Sequence, residues 1–334
     1  MPVAPDRPRV DIGSFPTAVE AAPDLGEALG VPDLHLKRED RSGEPYGGNK
    51  VRKLEFLLGE PIENNCSRVL TGGGVGSNHV LATTAYARAV GLEPRAVQFP
   101  QPVTDHVREN LRALARLEPE LRLARSRATF PLSLLRERVA ALRSGALAYV
   151  PLGGSSPLGT LGFVAAGREL ARQVDRGLCP KPDVVVVPTS SGGTLAGLVV
   201  GLDRAGLDTR VVGVRVTGRY AANRLRLARL ATRTAALLDN PTRYRRADIS
   251  LVGGYLGPGY GEPTRLGRRV SKVAAAHGLT LDPTYTAKTV GAISGEFTDE
   301  TVLYWHTLSS RRPEMLSTEA AVERLPEGYR RFLE

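Results

Sequence analysis

The chain predicts an α/β fold of two lobes with doubly wound, mostly parallel sheets, and three observations carry that reading. Short β-branched runs alternate with longer amphipathic stretches along 334 residues, the order that parallel βαβ units require. A near-continuous valine run, DVVVVP at 183–188, suits a strand covered on both faces, as parallel strands are. Glycine-rich turns such as PLGGSSPLG and TSSGGTLAG follow strands and open helices. The length accommodates two domains of roughly 150 residues.

Taken in order, apolar β-branched runs mark the strands and apolar residues three or four apart mark the helices. A strand at 34–37 leads through RSGEPYGG into a helix beginning near Asn49. A strand at 68–71, a helix at 77–90, a strand at 95–99 and a helix at 103–117 follow, then a short strand at 121–124 and a helix at 131–142. After a strand at 148–150, PLGGSSPLG leads into a long helix at 160–174, whose Leu161, Val164, Ala165 and Leu170 lie near helical spacing. The valine strand enters its helix through TSSGGTLAG. A strand at 211–216, a helix at 221–238, the loop GGYLGPGYGEP, helices at 264–277 and 285–293, and a strand at 301–305 complete the order.

Composition narrows the function. Apolar residues at 42% and charged residues at 24% are ordinary for a globular chain and exclude collagen-like, coiled-coil and disordered classes. The net charge of +10 would suit nucleic acid, but the arginines are spread over amphipathic segments and aromatics, at 5%, are too sparse for a base-stacking surface. No nucleic-acid partner is therefore expected. No apolar run reaches the ~18 residues of a membrane span, so no membrane partner is expected either, and the expected compartment is the cytoplasm. Cys66 and Cys179 make neither a disulfide framework nor a CxxC clamp, and the five histidines show no metal-binding spacing. Lysine is scarce. Lys37, Lys50, Lys53, Lys181, Lys272 and Lys288 are the whole set for any chemistry that needs a primary amine.

Four constellations carry chemistry. Gly47-Gly48-Asn49-Lys50 delivers a lysine to a helix start, where the positive helix end disfavours the ammonium and favours a neutral amine able to form a Schiff base. Ser190-Ser191-Gly192-Gly193-Thr194 follows the buried strand and opens a helix, so its backbone N–H groups suit a phosphate; it is neither a P-loop nor GxGxxG. Gly72-Gly73-Gly74-Val75-Gly76-Ser77-Asn78-His79 repeats the strand–glycine–helix pattern and offers N–H groups, Ser77 and Asn78 to a carboxylate. Tyr260 in GPGYGEP and Tyr285 in LDPTYTAK sit on turns of the kind that place side chains at strand ends.

With these parts in order, the chain resembles the fold-type II pyridoxal-phosphate enzymes, which share the fold of the tryptophan synthase β chain. More narrowly it resembles the branch containing D-cysteine desulfhydrase and 1-aminocyclopropane-1-carboxylate (ACC) deaminase. The matching stretches are LHLKRED, GGNKVRKLEF, GGGVGSNH, PLGGSSPLGTLGF, SSGGTLAG, GPGYGEP and LDPTYTAK, running from about residue 33 to residue 308. The resemblance implies pyridoxal 5'-phosphate bound to Lys50, its phosphate held by Ser191, Gly192, Gly193 and Thr194. It also implies Asn78 near the phenolic oxygen, Thr307 facing the pyridine nitrogen, Ser77, Asn78 and His79 at the substrate, and Tyr260 and Tyr285 over the reacting atoms. Catalysis would rest on Lys50, Ser77, Tyr260 and Tyr285. The implied lobes are residues 1–50 with 152–334, larger and cofactor-binding, and residues 51–151, smaller and carrying the Ser-Asn-His loop; a homodimer is implied as well.

In ACC deaminases the residue after the tyrosine matching Tyr285 is a glutamate and the one matching Thr307 is a leucine, so Thr286 and Thr307 fall on the desulfhydrase side. A threonine hydroxyl leaves the pyridine nitrogen nearly neutral, which suits expulsion of a β-leaving group. Three departures from the branch stand out: Gly76 for a glutamine, Ala287 for a glycine, and Leu308-Ser309-Ser310 for a glycine pair. The expected activity is a pyridoxal-phosphate-dependent lyase acting on a small β-substituted amino acid, D-cysteine first, giving pyruvate, sulfide and ammonia. ACC deamination, L-cysteate cleavage and a family member of altered activity are the alternatives.

Overall fold

The computed structural model describes residues 3–4, 6–144, 147–310 and 322–334, and within these the chain forms two sheets. The larger runs in the order β1 (Val19–Ala21), β2 (Leu34–Lys37), β10 (Val302–Trp305), β7 (Val184–Thr189), β8 (Arg210–Arg215) and β9 (Ser250–Val252). All its neighbours are parallel except β1 with β2. The period of two decides the layers. Val184 and Val186 of β7 enter a core shared with α1 (Pro23–Leu29), α9 (Arg265–Ala276) and α10 (Thr286–Glu296). Val185 and Val187 face the opposite core, with α6 (Pro157–Asp175), α7 (Gly193–Ala205) and α8 (Arg224–Ala235). All four valines are fully buried, each contributing about 1.5–3 kcal/mol relative to exposure.

The smaller sheet runs β5 (Glu120–Leu123), β4 (Glu93–Phe99), β3 (Arg68–Gly74), β6 (Leu147–Tyr149), all parallel. On one face lie α2 (Val51–Glu63), α3 (Asn78–Ala89) and α4 (Asp105–Leu117); on the other, α5 (Phe130–Ser144) packs through Phe130 and Leu134. The carboxyl ends of β3, β7, β8 and β10 open toward one cavity, as open α/β sheets arrange their sites.

Several boundaries differ from expectation. Gly72–Gly74, expected in a loop, continue β3, because β4 offers pairing partners out to Gly74↔Phe99. The helix expected at 221–238 is shorter, since Asn223 caps it by accepting the Arg226 N–H at 3.0 Å. Strands β1 and β9, three residues each, show too little alternation to be expected, and α1 is short and starts at a proline. Two sequence departures gain a packing reason. Gly76 has φ 81° and a side chain there would lie 2.8 Å from the Val107 Cα of α4, so glycine belongs with this helix packing. Ala287 is buried where α10 meets Gly267 of α9.

Candidate active site

The lysine turn is held from several sides. Gly48, at φ 90°, brings its backbone so close to the loop after β10 that a side chain would lie 2.6 Å from the Thr307 carbonyl. Gly47 N–H donates to Ser309 Oγ at 2.8 Å, Asn49 N–H to Thr307 O at 3.3 Å, and Ser42 Oγ to Gly48 O at 2.9 Å. Ser310 adds two bonds to Asp40 O, from its N–H at 3.1 Å and its Oγ at 3.2 Å. The serines that replace the glycine pair are thus clamps on the turn that presents Lys50.

Lys50 takes the N-cap position of α2, half-buried, its Nζ donating to Asn49 Oδ1 at 2.7 Å. Burial pushes its amine down to about 8, against the pull of the Asp282 carboxylate. Burial, rather than the helix end named from the sequence, is the leading cause. Asn49 Nδ2 donates to Thr194 Oγ1 at 3.0 Å and so ties the lysine turn to the Ser-Gly-Gly-Thr cup.

The cup lies between β7 and α7. Ser191 Oγ and Ser155 Oγ stand 2.8 Å apart, and the Gly193 N–H donates to Ser155 Oγ at 3.0 Å. One turn along α2 from Lys50, Lys53 Nζ reaches the Gly153 carbonyl at 3.1 Å and Ser155 Oγ at 3.4 Å. Lys53 is 2% exposed and has no carboxylate partner among the described residues; burial first, then the Lys50 charge, push it well below its ordinary value. An uncompensated buried amine, small hydroxyls and a helix N-terminus together fit a phosphate monoester.

Opposite the cup, Ser77 caps α3, its oxygen accepting the Val80 N–H at 3.4 Å. Asn78 is oriented by α4. Asn110 Nδ2 donates to Gly76 O at 2.7 Å, which can only accept, so the same nitrogen meets the oxygen of Asn78 at 2.8 Å. His106 Nε2 at 2.8 Å and Tyr46 OH at 3.3 Å reach that oxygen too, and the Asn78 amide nitrogen is the atom left for the cavity. His79 is buried with Nε2 2.9 Å from Thr71 Oγ1; burial first, then the Lys50 and Lys53 charges, hold it well below its ordinary value.

Tyr260 and Tyr285 share a short hydrogen bond between their hydroxyls, their rings edge-to-face at 6.0 Å. Burial raises both phenols, Tyr285 well above the ordinary value. Asp282 fixes the second ring by accepting the N–H groups of Thr284 at 2.9 Å and Tyr285 at 2.8 Å. Thr286 is engaged with Asp282 as well, Oγ1 to Oδ2 at 2.8 Å, and is fully buried outside the cavity wall, whereas Thr307 lines it. Arg127 stacks its guanidinium 5.6 Å from the Phe99 ring centroid and 5.2 Å from that of Tyr260.

A single cavity of about 540 Å³ gathers Lys50, Ser77, Asn78, His79, Ser191, Gly192, Thr194, Tyr260, Tyr285 and Thr307, drawn from both sheets. Gly193 alone of the expected site residues stays outside its wall, its N–H turned to Ser155. Sequence reasoning missed Lys53, Ser155, Asp282 and Arg127. The i, i+3 spacing to Lys50 could have found Lys53, since that spacing stacks two side chains on one helix face; nothing local marked Arg127.

An amine, an anion cup, an amide donor and paired phenols around one cavity fit the class of enzymes that use a phosphate-tailed carbonyl cofactor. Comparison with known proteins agrees. The family described as "Pyridoxal-phosphate dependent enzyme" matches residues 10–307. D-cysteine desulfhydrase of Klebsiella pneumoniae is 34% identical over 315 residues, 90% of this chain and 93% of that one. A provisionally named ACC deaminase of Pyrococcus horikoshii is 34% identical over 309 residues, 90% of this chain and 91% of its own. The crystal structure of an ACC deaminase homologue superposes with a TM-score of 0.80 at 31% identity, covering 97% of this chain and 98% of that one. The chain therefore belongs to the pyridoxal-phosphate-dependent enzymes, in the branch of D-cysteine desulfhydrase and ACC deaminase.

Proposed function

We propose that the protein eliminates the β-substituent of a small amino acid, with D-cysteine as substrate, releasing pyruvate, sulfide and ammonia. The observation that carries this reading is one cavity holding an amine lowered to about 8 together with two raised, hydrogen-bonded phenols. A base and an acid set apart in this way are what removal of an α-proton and protonation of a leaving group require. Pyridoxal phosphate, when bound, supplies the electron sink that makes the α-proton acidic. Lys50 would hold the cofactor through Nζ, and the same nitrogen, as a free amine, would take the α-proton. Ser191, Gly192 and Thr194, joined by Lys53 and Ser155, would hold the phosphate, and the Gly193 N–H would act through Ser155, to which it donates at 3.0 Å. Asn78 would donate to the cofactor's phenolic oxygen, Ser77 and His79 would border the substrate, and the Thr307 hydroxyl would leave the pyridine nitrogen nearly neutral. The Cβ–S electron pair leaves with sulfur, which takes a proton from the Tyr260–Tyr285 pair; water then hydrolyses the released enamine to pyruvate and ammonia.

Residues 1–50 with 152–334 form the cofactor-binding lobe in this reading, residues 51–151 the lobe carrying Ser77 to His79, and two copies pair in the cytoplasm. A second reading is favoured by Arg127, whose guanidinium lines the cavity with no ion pair among the described residues: an anionic β-substituent, as in L-cysteate, would meet it there. The test is 2-oxo acid release from D-cysteine, ACC and L-cysteate. Turnover of D-cysteine supports the first reading, turnover of ACC alone overturns both, and cysteate turnover lost in R127Q selects the second.

A further inference from the structure

A second concave region, of about 430 Å³, lies between α8 and the segment 243–246. Five of the side chains around it are arginines: Arg229, Arg233, Arg243, Arg245 and Arg246. None of the five forms an ion pair among the described residues, and no acid lines the hollow. Asp203, Asp208 and Asp248 stand in a neighbouring depression that shares Arg243 and Tyr244. Asp203 Oδ2 accepts the Tyr244 hydroxyl at 2.6 Å and Asp248 Oδ2 accepts the Arg245 N–H at 2.6 Å. Arg229 and Arg233 stand four residues apart on α8, a spacing at which like charges oppose each other.

The frame under these cations is firm. Thr232 Oγ1 accepts the Tyr244 N–H at 3.0 Å and donates to the Tyr244 carbonyl at 3.2 Å, and Tyr244 itself is buried. The arginine-bearing segment is thereby pinned to the helix, so five arginines border one hollow that no carboxylate lines. Guanidinium forks match phosphate oxygens in pairs, and several on a fixed frame select a ligand with several adjacent anionic groups. We propose that this hollow binds a small molecule carrying an oligophosphate chain, whether free oligophosphate or a nucleoside triphosphate. It stands apart from the catalytic cavity, although α8 reaches both, Arg226 lining the cavity and Leu227 packing over Gly192.

The experiment titrates tripolyphosphate into holoenzyme reduced with borohydride, so that the catalytic cavity is filled, at fixed ionic strength by calorimetry. Binding at one saturable site is expected, with Kd raised at least tenfold in R233Q/R246Q, at least threefold in R246Q alone and unchanged in R269Q on α9. Tripolyphosphate should raise the thermal midpoint of the wild type and not that of the double variant, whose midpoint without ligand should be no lower than wild type. ATP binding with tripolyphosphate absent or weaker assigns the nucleotide as source; equal affinity assigns the bare chain. Affinity unaltered in R233Q/R246Q overturns the site. Citrate binding as tightly as tripolyphosphate overturns the ligand class, and an oligonucleotide held more tightly than tripolyphosphate overturns the small-molecule reading in favour of nucleic acid.

Discussion

Behind the first turn of α2, Arg52 donates to Glu39 at 2.6 Å and to both oxygens of Glu169 at 3.0 Å, while Lys37 meets Glu169 at 2.6 Å and Trp305 Nε1 meets Glu39 at 3.1 Å. In front of the same turn, Lys50 and Lys53 are as crowded but face no carboxylate within ion-pair distance among the described residues. The rear group closes on itself, two cations against two anions. Burial would raise Glu169 and lower Arg52, and the opposite charges more than reverse both, so each stays charged. The front pair lacks that compensation, and its amines drift toward neutrality. Lys37 is more buried than Lys50, and burial lowers its amine too, but Glu169 opposes that desolvation directly, a counter-charge in contact that Lys50 and Lys53 lack.

The sharpest way to break the contrast is to remove its chemical member. K50A should lose the visible imine band formed with pyridoxal phosphate and its reduction by borohydride, and activity should fall by at least about 10³-fold; a retained band would end the assignment. E169Q strands Arg52 and Lys37 without their shared anion, and chemical denaturation should show a loss of about 3–5 kcal/mol. K53M should weaken retention of the cofactor, measured by equilibrium dialysis, by about 1.5–3 kcal/mol with little change in unfolding. The contrast also has a pH signature. Lys50 is lowered from its ordinary 10.5 to about 8, so between those values the unfolded chain binds more protons than the folded one. Stability of the cofactor-free protein should rise with pH across that window, carry the full penalty below it, and rise less steeply in K50M when thermal midpoints are compared. S309A, which removes the acceptor for the Gly47 N–H, should cost about 0.5–1.5 kcal/mol by the same denaturation readout.

Much of this was legible locally. Strand, glycine turn and helix start fall within residues 184–194, so the 190–194 cup stood out locally as an anion site, and the glycine turn before Lys50 marked that lysine as a candidate amine whose role the family resemblance supplied. What stayed hidden depends on chain segments that are far apart in sequence. Ser309 meets Gly47 across 262 positions and Ser155 meets Gly193 across 38, and no local pattern encodes either meeting. The Leu308-Ser309-Ser310 segment stood out only as a departure, because its partner, the lysine turn, is invisible from its own neighbourhood. Strand β1 was missed for a related reason, since three residues reveal a strand only through the partner they pair with, here 14 to 18 positions on, beyond α1.

The amide of Asn78 is pinned through one of its two ends by groups on α4 and by Tyr46. Because that end must be the oxygen, the cavity discriminates by hydrogen-bond polarity at this point as well as by outline. A ligand atom rich in electrons is accepted there, and an isosteric group bearing hydrogen would face another hydrogen. An aspartate in place of Asn78 would keep the silhouette and invert the preference, so a change too small to alter packing could exchange one class of guest for another.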